Sequence, residues 1–282
     1  MTGLPLIESI FELERGDAVW FVDIWGVMHN GVRPYPSAVF ACREFRLRGG
    51  RVILVSNSPR TRDGVIRQLD QVGVSREAYD AAVTSGDVSR VLIAAHKGAA
   101  VFHLGPGRDL PVYEGLEVKL APAKEARSVV CTGLFDDERE TPDTYAPLLA
   151  DFKARDLEMI CVNPDLQVER GGRIIYCAGA VAAAYEALGG RVLYAGKPYA
   201  PIYEEAMRVA GGLTGRHVER ARVLAIGDGV KTDIKGASLA GIASVYVASA
   251  VHVRTGETLA EAAGRLFPDP KARPVAVMER LA

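Results

Sequence analysis

The sequence predicts an α/β protein: a Rossmann-like, doubly wound parallel sheet interrupted by an inserted α/β domain. Short β-branched apolar runs alternate with longer stretches of helical spacing, the pattern of a parallel sheet covered by helices on both faces. The texture turns loop-rich near Gly98 and returns to buried-strand type at "RVLYAGKP". A length of 282 residues, 49% of them hydrophobic, suits about two domains of ~150 residues each.

The elements follow in order. Residues 19–23 and 52–56 read as buried strands, each nearly all apolar and ending in a polar residue before a turn. Between them, residues 36–49 place Ala38, Phe40, Ala41, Phe45 and Leu47 at helical spacing and stop at a Gly pair. Residues 61–72 make a second helix, with Thr61 as cap and Gly73 as stop. A short strand at 81–84 and a helix at 87–96 complete the first block. After the loop-rich stretch come strands at 128–131 and 158–162 with a helix at 142–154 between them. A small-residue helix spans 179–188. "RVLYAGKP", a helix at 200–210, "RVLAIGDG" and a final strand in "ASVYVAS" resume the first texture. The reading is a discontinuous core, residues 1–96 plus 191–282, with a cap of residues 97–190.

Composition narrows the function. Formal net charge is −1, so no global field draws nucleic acid or an anionic membrane. Cys42, Cys131, Cys161 and Cys177 show no CxxC spacing, which argues against a zinc site or a disulfide framework. Cys131, Cys161 and Cys177 lie in apolar runs and read as core thiols. No apolar stretch nears the ~20 residues of a membrane span, and the acid-bearing N-terminus does not read as a signal peptide. A reduced cytoplasm is the expected location.

Ligands of open α/β sheets bind beyond the carboxyl ends of the strands, near a topological switch point. Polar clusters stand at those ends: Asp23 after the first strand, Ser56-Asn57-Ser58 after the second, and Asp228 after "VLAIG", with Asp233 further along "GDGVKTD". Each has an ordinary reading as helix cap, turn former or solvated charge. Together with Lys197 in "YAGKP" they suggest one acidic pocket. Three carboxylates there repel one another unless a hard cation sits among them, and Mg²⁺ suits oxygen ligands of this kind. Pro198 fits the first turn of a helix and leaves the Lys197 ammonium at the lip of the pocket.

These motifs resemble the haloacid dehalogenase superfamily, and more narrowly its class IIA branch of NagD-like phosphatases with a large α/β cap. "DIWGV" resembles the first family motif, "VSNSPR" the second, "GKP" the third and "GDGVKTD" the fourth. In the cap, "VNPDLQ" followed by "GAVAAAYE" is similar to the segment that faces substrate in that branch. The resemblance implies that Asp23 attacks phosphorus as the nucleophile. It implies that Asp23, the Trp25 backbone carbonyl, Asp228 and Asp233 hold Mg²⁺. Ser56, the Asn57 backbone and the catalytic Lys197 would hold phosphoryl oxygens, and Asn163 and Asp165 would read specificity from the cap. The ligand it implies is a small phosphorylated metabolite such as a sugar phosphate or nucleotide. Similar proteins also form homodimers through their caps, although no exposed stripe here demands one.

Position 25 departs from the family pattern. Phosphatases of this type carry an acid two residues after the nucleophile, to protonate the leaving oxygen and activate water. Trp25 donates one N–H and does not yield it at neutral pH. Three readings compete. The chain is a phosphatase with a proton source elsewhere, for which His29 is a candidate. It is a weakly active or inactive binder of phosphate ligands. Or it is a haloacid dehalogenase, whose relatives have an aromatic residue there but do not need the acids of "GDGVKTD". Trp25 also reads as a packing residue at the seam of cap and core. The acidic cap loop, residues 133–143, is a substrate gate or a solvated turn.

Overall fold

The computed structural model describes residues 4–13, 15–170, 172–248, 252–269 and 272–282. The core strands are β1 (Val19–Val22), β2 (Arg51–Ser56), β3 (Ala81–Thr84), β11 (Val223–Gly227), β12 (Ala243–Val247) and β13 (Ala276–Met278). They form one six-stranded sheet in the order β13-β12-β11-β1-β2-β3, parallel throughout. The chain runs outward from β1 through β2 to β3, and outward again from β11 through β12 to β13. The β1–β11 pair is therefore the switch point at which a ligand crevice is expected.

Alternation along the strands explains the double winding. On one face Trp20, Val22, Leu54 and Ile226 pack against α1 (Pro36–Leu47) and α2 (Arg62–Val72), with Trp20 stacked on Phe45 at 3.8 Å. On the other, Val19, Phe21, Ile53 and Ala225 meet α6 (Ala200–Thr214) and α7 (Lys235–Leu239). Successive side chains point to opposite faces, so strands buried on both sides must be nearly all apolar, as these are.

The cap is a second, five-stranded parallel sheet built from β4 (Ala100–Leu104), β5 (Lys119–Leu120), β6 (Ser128–Cys131), β7 (Glu158–Cys161) and β10 (Arg191–Tyr194), in the order β10-β7-β6-β4-β5. Helices α4 (Ala146–Ala154) and α5 (Ala178–Ala187) cover it, and α3 (Ser85–Ala94) leads into it from the core. A separate antiparallel hairpin, β8 (Gln167–Arg170) with β9 (Arg173–Tyr176), projects beside it. The pairing of β10 with β7 carries the inserted sheet to Tyr194, past the expected boundary at residue 190. Strand β4 also occupies part of the stretch read as loop. All four cysteines are free and buried. No helix among the described residues is long and apolar enough to cross a membrane.

Candidate active site

The acidic residues expected to converge do so. Asp23 leaves β1 with its backbone N–H donating to the Ile226 carbonyl of β11 at 2.8 Å. Asp228 follows the end of β11, and Asp233 lies in the wide turn Val230–Ile234 that precedes α7. One carboxylate oxygen from each of the three falls within 4.8 Å of the others. Gly26 makes room for this: its φ is +82°, and a Cβ there would stand 2.3 Å from Asp228 Oδ2. A side chain at that position would be strained and would displace the acid.

Lys197 lies on the floor of this cluster, not at its lip. It is 3% exposed, and its Nζ donates to Asp23 Oδ1 at 2.5 Å, Asp233 Oδ1 at 2.8 Å and the Val55 carbonyl at 2.9 Å. The register of β1 beside β2 brings Asp23 level with Val55, and Asp233 reaches them from the turn after β11. Asp233 Oδ2 accepts from the Gly229 N–H at 3.1 Å. Burial raises the Asp23 pKa, with Lys197 opposing and Asp233 adding to the rise. Against the desolvation of its own ammonium, Asp23, Asp233 and Asp165 hold Lys197 well above its ordinary value. The clustered Asp23, Asp228 and Asp233 carboxylates beside one ammonium leave an excess of two negative charges when all ionise. A single divalent cation matches that excess, and Mg²⁺ spans about 4.2 Å between opposite oxygens, at about 2.1 Å to each. The donor set fits such an ion.

Ser56 ends β2, is 2% exposed, and accepts the Ser58 N–H on its Oγ at 3.1 Å. Asn57 ties three segments together. Its Oδ1 accepts from the Lys197 N–H at 2.7 Å, and its Nδ2 donates to the Lys197 carbonyl at 3.1 Å and to Asp165 Oδ1 at 3.0 Å. Asp165 belongs to the cap, in a turn closed by its own N–H donating to Asn163 Oδ1 at 3.0 Å. Asn163 and Asp165 thus sit where the cap touches the core. Burial raises the Asp165 carboxyl to about 6, opposed by Lys197 and by the Asn57 bond.

His29 is not brought to the cleft. It is fully buried, its Nδ1 accepts the Gly31 N–H at 2.9 Å, and its Nε2 has no partner among the described residues. Desolvation lowers its pKa to about 4, which keeps the ring neutral at neutral pH. Trp25 meets the His29 ring edge-on at 4.9 Å and lies across Gly31, where a Cβ would stand 2.5 Å from the indole and 3.5 Å from Arg170 of the cap hairpin. The indole lies at the seam of core and cap, against the His29 ring, Gly31 and apolar side chains of the core.

Apart from His29, these residues line one cleft of about 1210 Å³ between the two sheets. Its cap wall holds residues the sequence reading left without a role: Asp109, Thr132, Arg108 and Arg170, facing Arg60 of the core. The acidic cap loop is not a free solvated turn. Its Asp137 pairs with Arg108 and, at 3.0 Å, with Arg170, and lies in the cleft wall. Only Arg60 stood inside a recognised motif, "VSNSPR"; the others lie in loops without a pattern that marks chemistry.

An open parallel sheet carrying three acids and a lysine at its switch point, under an inserted α/β cap, defines a capped Rossmann-like hydrolase scaffold. Comparison with known proteins agrees. A family model described as haloacid dehalogenase-like hydrolase matches residues 20–119, and a HAD-hydrolase-like model matches residues 194–282. The crystal structure of a haloacid dehalogenase-like hydrolase from Brucella suis 1330 is 44% identical, covers 98% of this chain and 100% of its own, and superposes with a TM-score of 0.88. The chain belongs to the haloacid dehalogenase-like hydrolase family. A curated relative, the D-glycerol 3-phosphate phosphatase of Mycobacterium tuberculosis, is 28% identical over 236 residues, which is 82% of this chain. The match spans 63% of that relative's length. A magnesium-bound crystal structure of glycerol phosphate phosphatase from the same organism shares the fold at 22% identity and a TM-score of 0.66, covering 93% of this chain and 74% of its own.

Proposed function

We propose that this chain is a Mg²⁺-dependent phosphohydrolase acting on small phosphorylated metabolites, sugar phosphates or nucleotides, through a phosphoryl group carried on Asp23. The observation that carries the reading is the meeting of Asp23, Asp228, Asp233 and Lys197 at one sheet edge beneath the cap. Asp23, Asp228 and the Trp25 carbonyl would hold the ion, with Asp233 binding directly or through water. When bound, Mg²⁺ shields the charge between carboxylate and phosphate and templates an in-line displacement.

Asp23 supplies the oxygen that bonds to phosphorus as the ester P–O bond breaks. Water then cleaves the aspartyl-phosphate, releasing phosphate and restoring the carboxylate. The Ser56 hydroxyl, the Asn57 N–H and the Lys197 ammonium stabilise the remaining phosphoryl oxygens. The relative that acts on D-glycerol 3-phosphate supports a small phosphorylated substrate.

Trp25 favours a second reading, a binder of phosphate ligands with weak turnover. General acid–base help is worth ~10²–10⁴ in rate, and neither the indole nor the buried, neutral His29 supplies it. The first test uses p-nitrophenyl phosphate, whose leaving group needs no proton. Wild type should hydrolyse it with Mg²⁺, stop when the metal is chelated, and lose activity as Asp23→Asn. Equal rates for wild type and Asp23→Asn would contradict the covalent assignment.

A further inference from the structure

We propose that Asp109, Thr132 and Arg60 form a subsite that recognises hydroxyl groups on the non-phosphorylated end of the substrate. The inference rests on the phosphohydrolase reading and adds to it the residues that select the organic group.

Two buried polar side chains of the cleft wall each carry an atom left without a hydrogen-bond partner among the described residues. Asp109 and Thr132 are each 2% exposed, and among the described residues neither Asp109 Oδ1 nor Thr132 Oγ1 has a hydrogen-bond partner. A buried polar atom left without a partner costs on the order of 1–3 kcal/mol, so two side by side at a ligand cleft point to partners that arrive with the ligand. Burial drives the Asp109 carboxyl up to about 6, with Arg108, Arg60 and the neighbouring Thr132 hydroxyl opposing and Asp137 adding to the rise. Across the cleft, the Arg60 guanidinium has no hydrogen-bond or ion-pair partner among the described residues, while Arg108 is occupied by Asp137.

Topology sets the trio at substrate distance from the reacting centre. Leu104, Cys131 and Cys161 are level in the cap sheet, so the chain leaves β4, β6 and β7 at the same edge. The turn after β7 touches the core through Asp165 and Asn57. Thr132 follows β6, one strand over, and Asp109 lies in the helical turn after β4, two strands over, at about 4.8 Å per strand. On the core side, Arg60 is four residues beyond Ser56, at most about 14 Å along an extended chain. That loop is held in place: the Gly86 N–H donates to the Ser58 carbonyl at 3.0 Å, and a Cβ on Gly86 would stand 2.4 Å from the carbonyls of Pro59 and Arg60.

The chemistry selects among ligands. A carboxylate and a hydroxyl on one wall, with a guanidinium opposite, present acceptors and donors together. A second phosphate or a carboxylate would meet the Asp109 charge, and a cation would meet Arg60 and Arg108. Neutral hydroxyls both donate to Asp109 and accept from Arg60. No member of the trio offers an aromatic face on which a nucleobase could stack.

The test compares phosphate esters that differ only in hydroxyls, bound to the Asp23→Asn protein with Mg²⁺ and measured by calorimetry: glycerol 3-phosphate against propyl phosphate, and sorbitol 6-phosphate against hexyl phosphate. With Thr132 and Asp109 intact, the hydroxylated member of at least one pair should bind on the order of tenfold or more tightly, the range of hydrogen bonds to charged groups. Thr132→Val and Asp109→Ala should each reduce that preference several-fold while alkyl phosphates still bind, which shows that the variants are folded. Equal affinities within both pairs, or a preference that survives both substitutions, would overturn the subsite. Failure of every ester and of inorganic phosphate to bind would instead overturn the phosphate-site reading on which it rests.

Discussion

At the scale of single residues, Trp25 and His29 define what is unusual here. If the missing acid is the main defect, Trp25→Asp should raise turnover of alkyl phosphates by at least about tenfold, the lower part of the range general acids supply. For p-nitrophenyl phosphate the first step should gain far less, since its leaving group needs no proton, while hydrolysis of the aspartyl-phosphate should quicken for both substrates. Steady-state rates on both substrates decide it, and no gain on alkyl esters would favour the binding reading. His29 makes a prediction about stability. Its folded pKa, about 4, lies below the ordinary value of 6.5, so the unfolded chain binds the proton more readily. Stability should be complete above pH 6.5 and fall as the pH drops toward 4, by up to about 3 kcal/mol from this group alone. His29→Asn, which can keep an acceptor for the Gly31 N–H, should flatten that decline in urea midpoints measured between pH 7 and pH 4.5. A parallel decline in both proteins would reject the assignment.

At the scale of elements, the loop after β2 and the turn after β7 act as one unit because Asn57 bonds to both Lys197 and Asp165. Asn57→Ala would strand the Lys197 N–H and leave the half-buried Asp165 carboxylate short of a donor. A loss of about 2–4 kcal/mol in stability should follow, together with weaker phosphate binding, as urea unfolding and calorimetry would record. A change below about 0.5 kcal/mol, the usual size of a surface effect, would contradict the role given to this side chain. The same scale shows what could be read in advance. β1, β2, β11 and β12 stand out because both faces are buried and the runs are nearly all apolar. The β8–β9 hairpin does not, since Gln167–Arg170 and Arg173–Tyr176 are short and mostly half-buried or exposed. β10 was recognisable as a strand, but apolarity does not say which sheet it joins; that depends on pairing with β7. Among site residues, Asp23, Ser56, Asp228 and Lys197 announce themselves by standing at or near strand ends. Asp109 and Thr132 gain meaning only when two sheet edges face each other across a cleft.

At the scale of the whole molecule, two parallel sheets meet across one cleft: the switch point of the core supplies the acids with Ser56, Asn57 and Lys197, and the cap supplies the opposite wall. On the proposed reading, a net charge of −1 gives no long-range attraction for an anionic substrate, so its capture would fall to Lys197, Arg60 and the metal the acids would hold. Trp25 then bears on the timing of the two chemical steps. The first needs little help with a good leaving group, while the second requires water to be activated with no acid or base at position 25. The aspartyl-phosphate should therefore accumulate. The most direct measurement is mass spectrometry of protein quenched in acid during steady turnover of p-nitrophenyl phosphate with Mg²⁺. The account predicts a phosphoryl adduct on the peptide that contains Asp23, in a large fraction of the chains. Sustained turnover with Asp23 unmodified at every time point would contradict it.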